Sequence, residues 1–305
     1  MTDTSFADSC TDPVALDLWY PVGAIVELTP DHVYETRLLE EDVSYAVGDD
    51  GSIHAWRSVP TIPAGSSFRA GGEIDELTVR NEFGYIWTSY GSPSDEFFPL
   101  DEFHEPDRHN VWAGSIGVHT SAPRAVENFL DMGHFPYVHS GYLGIEPHTE
   151  VKDYDVELTP DGREIVATRC EFFQPMGALN ALGGMLMEYV YRVPHPYCAI
   201  LYKSSPIDES RSDAIAIFGQ PIDEENTRAH MLLSLLDEEN EDRLIKRFQL
   251  LIYGQDKPIL ENQHPKRLPL GPRTETPIRS DKTSITYRRW LSDMGLRYCV
   301  IPSSR

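Results

Sequence analysis

Two histidines and a neighbouring carboxylate make the stretch Ala122–Gly144 the part of the chain best suited to metal chemistry. His134 and His139 are five positions apart, and Asp131 comes three positions before the first histidine. Imidazole nitrogen and carboxylate oxygen are ligands that suit divalent first-row metals. The spacing therefore allows a metal site, although most histidine pairs at this spacing are ordinary surface or core residues.

The elements that must position these residues begin with a predicted helix. Ser121 can cap it and Pro123 suits its first turn, whereas Pro136 should end or kink it. An apolar stripe at helical spacing is formed by Val126, Phe129 and Leu130. A neighbouring face of the same helix holds Asn128, Asp131 and His134. Two histidines and one carboxylate on one side of a metal, with open positions opposite, are typical of non-haem Fe(II) oxygenases.

Three motifs extend this interpretation to a protein family. The order N-x2-D-x2-H-x4-H, followed by a turn with glycine, resembles the catalytic-domain signature of Rieske non-haem iron aromatic-ring-hydroxylating oxygenases. Tyr253–Leu270 (YGQDKPILENQHPKRLPL) is similar to that family's segment with the carboxylate ligand, which maps to Asp256. Tyr287–Pro302 (YRRWLSDMGLRYCVIP) resembles the family's C-terminal tail. The three motifs occur in the family's order.

The resemblance implies a role for each polar residue. His134, His139 and Asp256 would bind one Fe(II), with oxygen and an organic substrate at the open positions. Asp131 would not be a ligand: it would orient the first histidine and connect the site to a cluster ligand on a neighbouring subunit. Asn128 would close the site, or be a helix-packing amide. Without the resemblance, Asp131 and Asp256 would be interpreted as solvated helix charges.

The first third of the chain is predicted to be a small all-β domain, residues 1–105, that resembles a Rieske domain. Its predicted strands are Ala24–Leu28, Val33–Leu38, Val43–Val47, one from Ile53, and Phe83–Tyr90. A Rieske [2Fe–2S] cluster needs two cysteines and two histidines. The chain has Val59-Pro60-Thr61 where the family has Cys-Pro-His, and no cysteine occurs between Cys10 and Cys170. The domain therefore cannot hold this cluster.

Residues 106–305 are predicted to form the catalytic domain, which makes the chain an α+β protein. Strands are expected at Val111–Val118, Glu150–Leu158, Arg163–Cys170, Tyr189–Arg192, Tyr197–Lys203, Asp213–Gly219 and Ala229–Leu235. A long helix is expected over Asp237–Asn262, with Leu244, Phe248, Leu251 and Ile252 on its apolar stripe, and a last helix over Arg279–Leu296. An antiparallel sheet wrapped on a long helix fits the helix-grip (START-like) domain that the resemblance implies.

The substrate pocket is less well specified by the sequence. Gly177–Glu188 is expected to be a loop or short helix over a pocket. Apolar residues that could line this pocket, or belong to the core, are Phe172, Phe173, Leu179, Leu182, Met185, Met187 and Phe218.

Composition limits the partners and the location. The 305 residues carry a net charge of −23, which argues against nucleic acid or anionic membranes as partners. The acidic surface could attract a basic protein partner or serve solubility alone. The four cysteines are scattered and indicate neither a disulfide framework nor a zinc site. No signal peptide or transmembrane segment is recognised, so a cytoplasmic protein is expected.

These observations indicate an oxygenase catalytic subunit without its own cluster, similar to the cluster-less subunit of bacterial methylxanthine N-demethylase systems. The resemblance implies oxygen-dependent hydroxylation, or N- or O-demethylation, of a small aromatic or heterocyclic compound. Electrons would come from NAD(P)H through a reductase or partner subunit with a Rieske centre, in a homotrimer or mixed hexamer. The alternatives are a metal site used for redox-neutral chemistry and a non-catalytic subunit paired with a complete oxygenase.

Overall fold

The computed structural model describes residues 9–58, 62–68, 75–178, 181–205, 207–208, 210–237 and 239–303. The Val59-Pro60-Thr61 stretch lies outside these ranges. After the short helix α1 (Pro13–Leu16), the described residues up to 105 form six strands: β1 (Tyr20–Ala24), β2 (Tyr34–Leu38), β3 (Glu41–Val47), β4 (Ile53–Arg57), β5 (Thr78–Glu82) and β6 (Tyr85–Ser89). They make two antiparallel sheets, ordered β1-β6-β5 and β2-β3-β4.

Most of the predicted N-terminal strands are present. Asp49-Asp50-Gly51 lies between β3 and β4, and Gly51 takes the positive φ of 80° that the tight turn requires. The predicted strand Ala24–Leu28 is wrong: pairing with β6 covers Tyr20–Ala24, and Ile25–Glu27 is a 3-10 turn. The prediction of a separate domain that ends near residue 105 stays a prediction.

A seven-stranded antiparallel sheet occupies the second part of the chain. Its strands are β7 (His109–Val118), β8 (Asp155–Leu158), β9 (Ile165–Ala178), β10 (Ala181–His195), β11 (Cys198–Ser204), β12 (Ser212–Pro221) and β13 (Thr227–Leu235). The strand order is β7-β13-β12-β11-β10-β9-β8, so each strand from β8 to β13 pairs with its neighbour in sequence. β7 closes one edge by pairing with β13. This sheet confirms the predicted α+β class.

The Gly177–Glu188 prediction is wrong. The described residues of this segment belong to the paired strands β9 and β10, in which Met187 pairs with Phe172 and Ala181 with Ala178. Glycines suggested a loop, but Gly183 and Gly184 lie at irregular positions of the β10 register with positive φ. Isolated glycines in a strand commonly mark such bulges.

The helices pack on this sheet. They are α2 (Ala122–Leu130), α3 (Phe135–Val138), α4 (Asp242–Asn262) and α5 (Lys282–Met294), with 3-10 turns at Asp101–His104 and Arg279–Asp281. The short parallel strands β14 (Leu268–Pro269) and β15 (Val300–Ile301) tie the segment after α4 to the end of the described chain. The predicted stripe of α4 is only partly correct, because Leu244 and Leu251 are exposed whereas Ile252 is buried. The buried face of α4 is Ile245, Ile252, Tyr253, Asp256 and Leu260.

Candidate metal centre

Asp131 ends helix α2 earlier than the sequence suggests. The predicted single helix from Ser121 to Pro136 is wrong, because α2 stops at Leu130 and Asp131 has extended backbone angles. The Asp131 carboxylate accepts a hydrogen bond from the Gly133 backbone N–H at 2.7 Å. A side-chain acceptor that binds the backbone two residues later favours a turn over a continuing helix. Asp131 and His134 therefore meet across a turn and not along a helix face.

Pro136 starts a helix and does not end one. It occupies the first turn of α3, where its missing N–H costs nothing. His134 immediately precedes α3 and His139 immediately follows it. This single turn of helix places the two imidazole rings with centroids 5.0 Å apart.

Helix α4 brings Asp256 to the two histidines from the opposite side. The Nε2 atoms of His134 and His139 are 3.1 Å apart. Asp256 Oδ1 lies 3.2 Å from the first and 3.1 Å from the second. Ligands about 2.1 Å from a divalent metal and at right angles to one another are about 3.0 Å apart. The three atoms thus form a triangle with the dimensions of one face of a metal coordination sphere.

The outer nitrogen of each ring has an acceptor that fixes the tautomer. His134 Nδ1 lies 3.1 Å from Asp131 Oδ2, and His139 Nδ1 lies 2.9 Å from Gln255 Oε1. A proton on each Nδ1 leaves a lone pair on each Nε2, as metal-binding histidines require. Asp256 Oδ1 is buried and has no hydrogen-bond donor with suitable geometry among the described residues. Three electron-rich atoms that face one point fit a bound cation.

The charges of the site support this conclusion. Burial raises the pKa of Asp256, but the two imidazoles outweigh burial and lower this pKa to about 2. Burial lowers the pKa of His134, yet its contacts with Asp131 and Asp256 raise this pKa to about 9. Positive charge is therefore favoured where the three atoms meet, and either a proton on His134 or a divalent cation supplies it.

Two cavities meet at the centre. An inner cavity of about 90 Å³ lies between α4 and the sheet and includes all three converging residues. An outer cleft of about 890 Å³ is bordered by α5, the end of α4 and the loop after β14. Asn128 and His134 line both cavities, and Asp131 lines the outer cleft. Asn128 thus belongs to the wall between the cleft and the interior.

The residues that line the inner cavity differ from those expected. Phe172 and Met187 are in the core, and Phe218 packs against Trp87 in a second core cluster. Phe173 contacts His148, and Met185 packs against the core. Leu179 and the side chain of Leu182 lie outside the described part of the chain. The inner wall of the cavity instead includes Gln174, Tyr189, Tyr191, Lys203 and Tyr253.

Sequence reasoning missed these polar residues and Gln255. The only available signal for the tyrosines was their i, i+2 spacing, which places Tyr189 and Tyr191 on one face of β10. Lys203 is also buried, and burial lowers its pKa to about 8 although Asp213 favours the charged form. In the sequence, a buried lysine and buried tyrosines on a sheet look the same whether they line a cavity or pack in the core. No periodic pattern distinguishes the two cases.

An ion network holds α2 at the site. Arg124, whose side chain is fully buried, lies 3.2 Å from Glu127 and 2.5 Å from Glu275. Arg288 of α5 lies 2.5 Å from both of these carboxylates. The network joins α2, α5 and the loop at residue 275, and it lies one turn before Asn128 and Asp131.

Comparison with known proteins agrees with this geometry. Residues 118–297 match the family model described as the vanillate O-demethylase oxygenase C-terminal domain. The chain is 43% identical to the probable methylxanthine N7-demethylase NdmC of Pseudomonas sp. (strain TJI-51), over 93% of this chain and 95% of that protein. The chain belongs to the Rieske non-haem iron oxygenase family. The suspected family is thereby confirmed, and the chain is an oxidoreductase component.

Two further comparisons agree with this family. The chain is 25% identical to the methylxanthine N3-demethylase NdmB of Pseudomonas putida, over 80% of this chain and 69% of that protein. The structure of Pseudomonas putida CBB5 NdmA with caffeine has a TM-score of 0.72 at 22% identity, over 91% of this chain and 90% of that chain. This last likeness shows a shared fold.

Membership in this family implies a non-haem iron ion. The residues fit such an ion because two imidazole nitrogens and one carboxylate oxygen converge, and no donor among the described residues reaches the carboxylate oxygen with suitable geometry. None of the helices in the described ranges combines the length and apolar character needed to cross a bilayer.

Proposed function

We propose that this chain is the catalytic subunit of an oxygenase that removes a methyl group from an N-methylated heterocycle. The observation that carries the proposal is the triangle of His134 Nε2, His139 Nε2 and Asp256 Oδ1, which faces a cavity lined in part by aromatic side chains. The 43% identity to a probable methylxanthine N7-demethylase supports a methylated oxopurine as substrate. Ring hydroxylation and O-demethylation would use the same site and remain possible reactions of the family's chemistry.

In this proposal, side chains of the protein hold the metal ion, orient its ligands and position the substrate. His134, His139 and Asp256 would hold one Fe(II), while Asp131 and Gln255 keep the two rings in the required tautomers. Iron in such a site supplies the reduction of dioxygen that inserts one oxygen atom into a substrate C–H bond. The cavity would place the substrate beside this site.

The overall reaction needs two electrons from outside the chain. One atom of dioxygen enters the N-methyl group and the other leaves as water, with two electrons and two protons consumed. The N-hydroxymethyl product then breaks its C–N bond and releases formaldehyde and the free N–H. The chain has no cysteine between Cys10 and Cys170, so its first 105 residues lack the thiolates of a Rieske cluster.

The electron donor is therefore another protein. We propose that a partner chain with a Rieske centre, reduced by NAD(P)H, docks at the outer cleft close to Asp131, which lines this cleft. The assembly would be a homotrimer or mixed hexamer, with a cluster-free domain over residues 1–105 and a catalytic domain over 106–305. A non-catalytic subunit would have no need for three converging ligands.

Metal content and product formation test the proposal. The purified protein should bind about one Fe(II) per chain and show no Rieske signal in electron paramagnetic resonance. His134→Ala, His139→Ala and Asp256→Ala should each lose the iron while His32→Ala, a change of an exposed histidine, keeps it. With 7-methylxanthine, NADH and a Rieske-bearing reductase, formaldehyde should form in proportion to the NADH consumed.

Two results would contradict the proposal. The first is full iron content in a folded ligand variant. The second is sustained, coupled formaldehyde release with a flavin reductase that lacks any Rieske centre, because this would show that no cluster-bearing partner is needed.

A further inference from the structure

Buried polar atoms without partners are concentrated around the inner cavity. Among the described residues, eleven buried side-chain oxygen and nitrogen atoms have no hydrogen-bond partner. Five of them belong to residues that line this cavity: Gln174 Oε1, Tyr189 OH, Tyr191 OH, Tyr253 OH and Asp256 Oδ1. Buried polar groups are normally paired, because an unpaired one is costly. Asp256 is explained by the metal, whereas the other four are not.

These four atoms come from two sides of the cavity. Tyr189 and Tyr191 alternate along β10 and therefore point to the same face of the sheet, and Gln174 lies on the neighbouring strand β9. Tyr253 faces them from α4, one turn before Asp256. The polar atoms therefore lie on both the sheet wall and the helix wall of the cavity.

The two tyrosines are held in place by aromatic neighbours and not by hydrogen bonds. Phe135 packs edge-on against Tyr189 at 6.4 Å, and Phe129 packs edge-on against Tyr191 at 6.1 Å between ring centroids. Burial raises the pKa of both phenols well above their usual value, so both stay protonated at physiological pH. The rings are therefore fixed while their hydroxyl groups remain available as donors.

This set of groups matches a particular chemical pattern. Phenol hydroxyls can donate to ring carbonyl oxygens, and the amide oxygen of Gln174 can accept from a ring N–H. A lactam edge, in which a ring N–H lies beside a ring C=O, offers both groups in one plane. A purely carbocyclic or methylated edge offers fewer of them and would leave the buried groups unpaired.

We propose that Gln174, Tyr189 and Tyr191 form a recognition wall for the lactam edge of the substrate, so that its N-methyl group points to the metal centre. This inference rests on the proposed function and names the substrate groups that the site selects. The half-buried side chains of Leu143 and Phe248 line the same cavity, whose volume is about 90 Å³. The aromatic neighbours keep the recognition wall itself in place.

The test compares three ligands in equilibrium binding to the iron-loaded protein. 7-Methylxanthine has a lactam edge, caffeine has the same carbonyls without a ring N–H, and 1-methylbenzimidazole has neither. Affinity should fall in this order. Tyr189→Phe, Tyr191→Phe and Gln174→Met should each weaken 7-methylxanthine binding by about 3- to 10-fold, the effect of one lost hydrogen bond. The same variants should leave 1-methylbenzimidazole binding unchanged.

A matched control removes a comparable hydroxyl elsewhere. Tyr90→Phe deletes another buried phenol oxygen without a partner, outside the inner cavity, and should change none of the affinities. Equal binding of the three ligands by the unaltered protein, no binding of any of them, or unchanged affinity in all three wall variants would each overturn the inference.

The result of this binding test can be distinguished from the result of the test of the proposed function. Ligand discrimination by the wall with no formaldehyde release would refute the proposed reaction and leave the inference standing. Formaldehyde release with unchanged affinities in the wall variants would refute the inference alone.

Discussion

At the scale of single residues, the orientation of His139 depends on Gln255. The Gln255 amide oxygen accepts from His139 Nδ1 at 2.9 Å, and Gln255 directly precedes Asp256 on α4. Gln255→Leu should weaken metal affinity by about 10- to 100-fold, because the ring loses the acceptor that fixes its tautomer. Titration of the metal-free protein with Co(II), followed by absorption, measures this affinity.

A second glutamine on the same helix provides the control for this change. Gln249 lines the inner cavity but contacts neither histidine, so Gln249→Leu should bind Co(II) as the unaltered protein does. Equal affinities for the two variants would show that Gln255 does not position the metal ligand.

At the residue scale, the sequence predicted which side chains meet when they belong to one short motif. His134 and His139 were expected together because they are only five positions apart, and Asp256 was added by resemblance alone. The structure brings their atoms within 3.2 Å, although their role as ligands stays a proposal. Gln255 and Tyr191 could not be assigned roles, because their partners or cavity are defined by contacts between distant segments.

At the scale of elements, the buried ion network fixes α2 against α5. Removal of one member of a buried ion pair leaves uncompensated charge, which typically costs about 3–5 kcal/mol. Arg124→Met should therefore lower the free energy of unfolding by about this amount, since Glu127 and Glu275 lose a shared partner. Urea denaturation followed by circular dichroism measures the change.

An exposed ion pair provides the control for the Arg124→Met prediction. Lys152 and Glu171 lie 2.6 Å apart, and the lysine side chain is 58% exposed. Lys152→Ala should cost less than about 1 kcal/mol. A loss for Arg124→Met no larger than this would show that the network does not stabilise the site.

At the element scale, the sequence-based prediction failed at two positions where other contacts decide the secondary structure. The helix predicted from Ser121 was expected to reach Pro136, but the Asp131 carboxylate binds the Gly133 N–H and the helix stops at Leu130. Gly183 and Gly184 suggested a loop, whereas pairing with β9 keeps them in a strand. In both cases a hydrogen bond or strand pairing in the folded chain outweighs the secondary structure that the local sequence favours.

At the scale of the whole molecule, a net charge of −23 acts on any protein that approaches. Screening by salt weakens the attraction between this chain and a basic donor surface. Formaldehyde formation at limiting concentrations of the Rieske-bearing reductase should therefore slow by about 10-fold or more between low and physiological salt, as electrostatically steered association does.

Varying the reductase concentration distinguishes an effect of salt on association from an effect on the chemical step. At saturating reductase the salt effect should largely disappear, because association no longer limits the rate. A rate that is independent of salt at limiting reductase would show that the acidic charge serves solubility alone. The sign and size of the charge were available from composition, but the position of the outer cleft, where we propose that the donor docks, was not.

The wall shared by the two cavities bears on how the reactants of the proposed reaction would arrive. Asn128 and His134 line both the outer cleft and the inner cavity, so the electron donor would approach the ligand triangle from the cleft and the organic substrate from the cavity. Donor and substrate would then not compete for one entrance, and a ternary complex would form in either sequence.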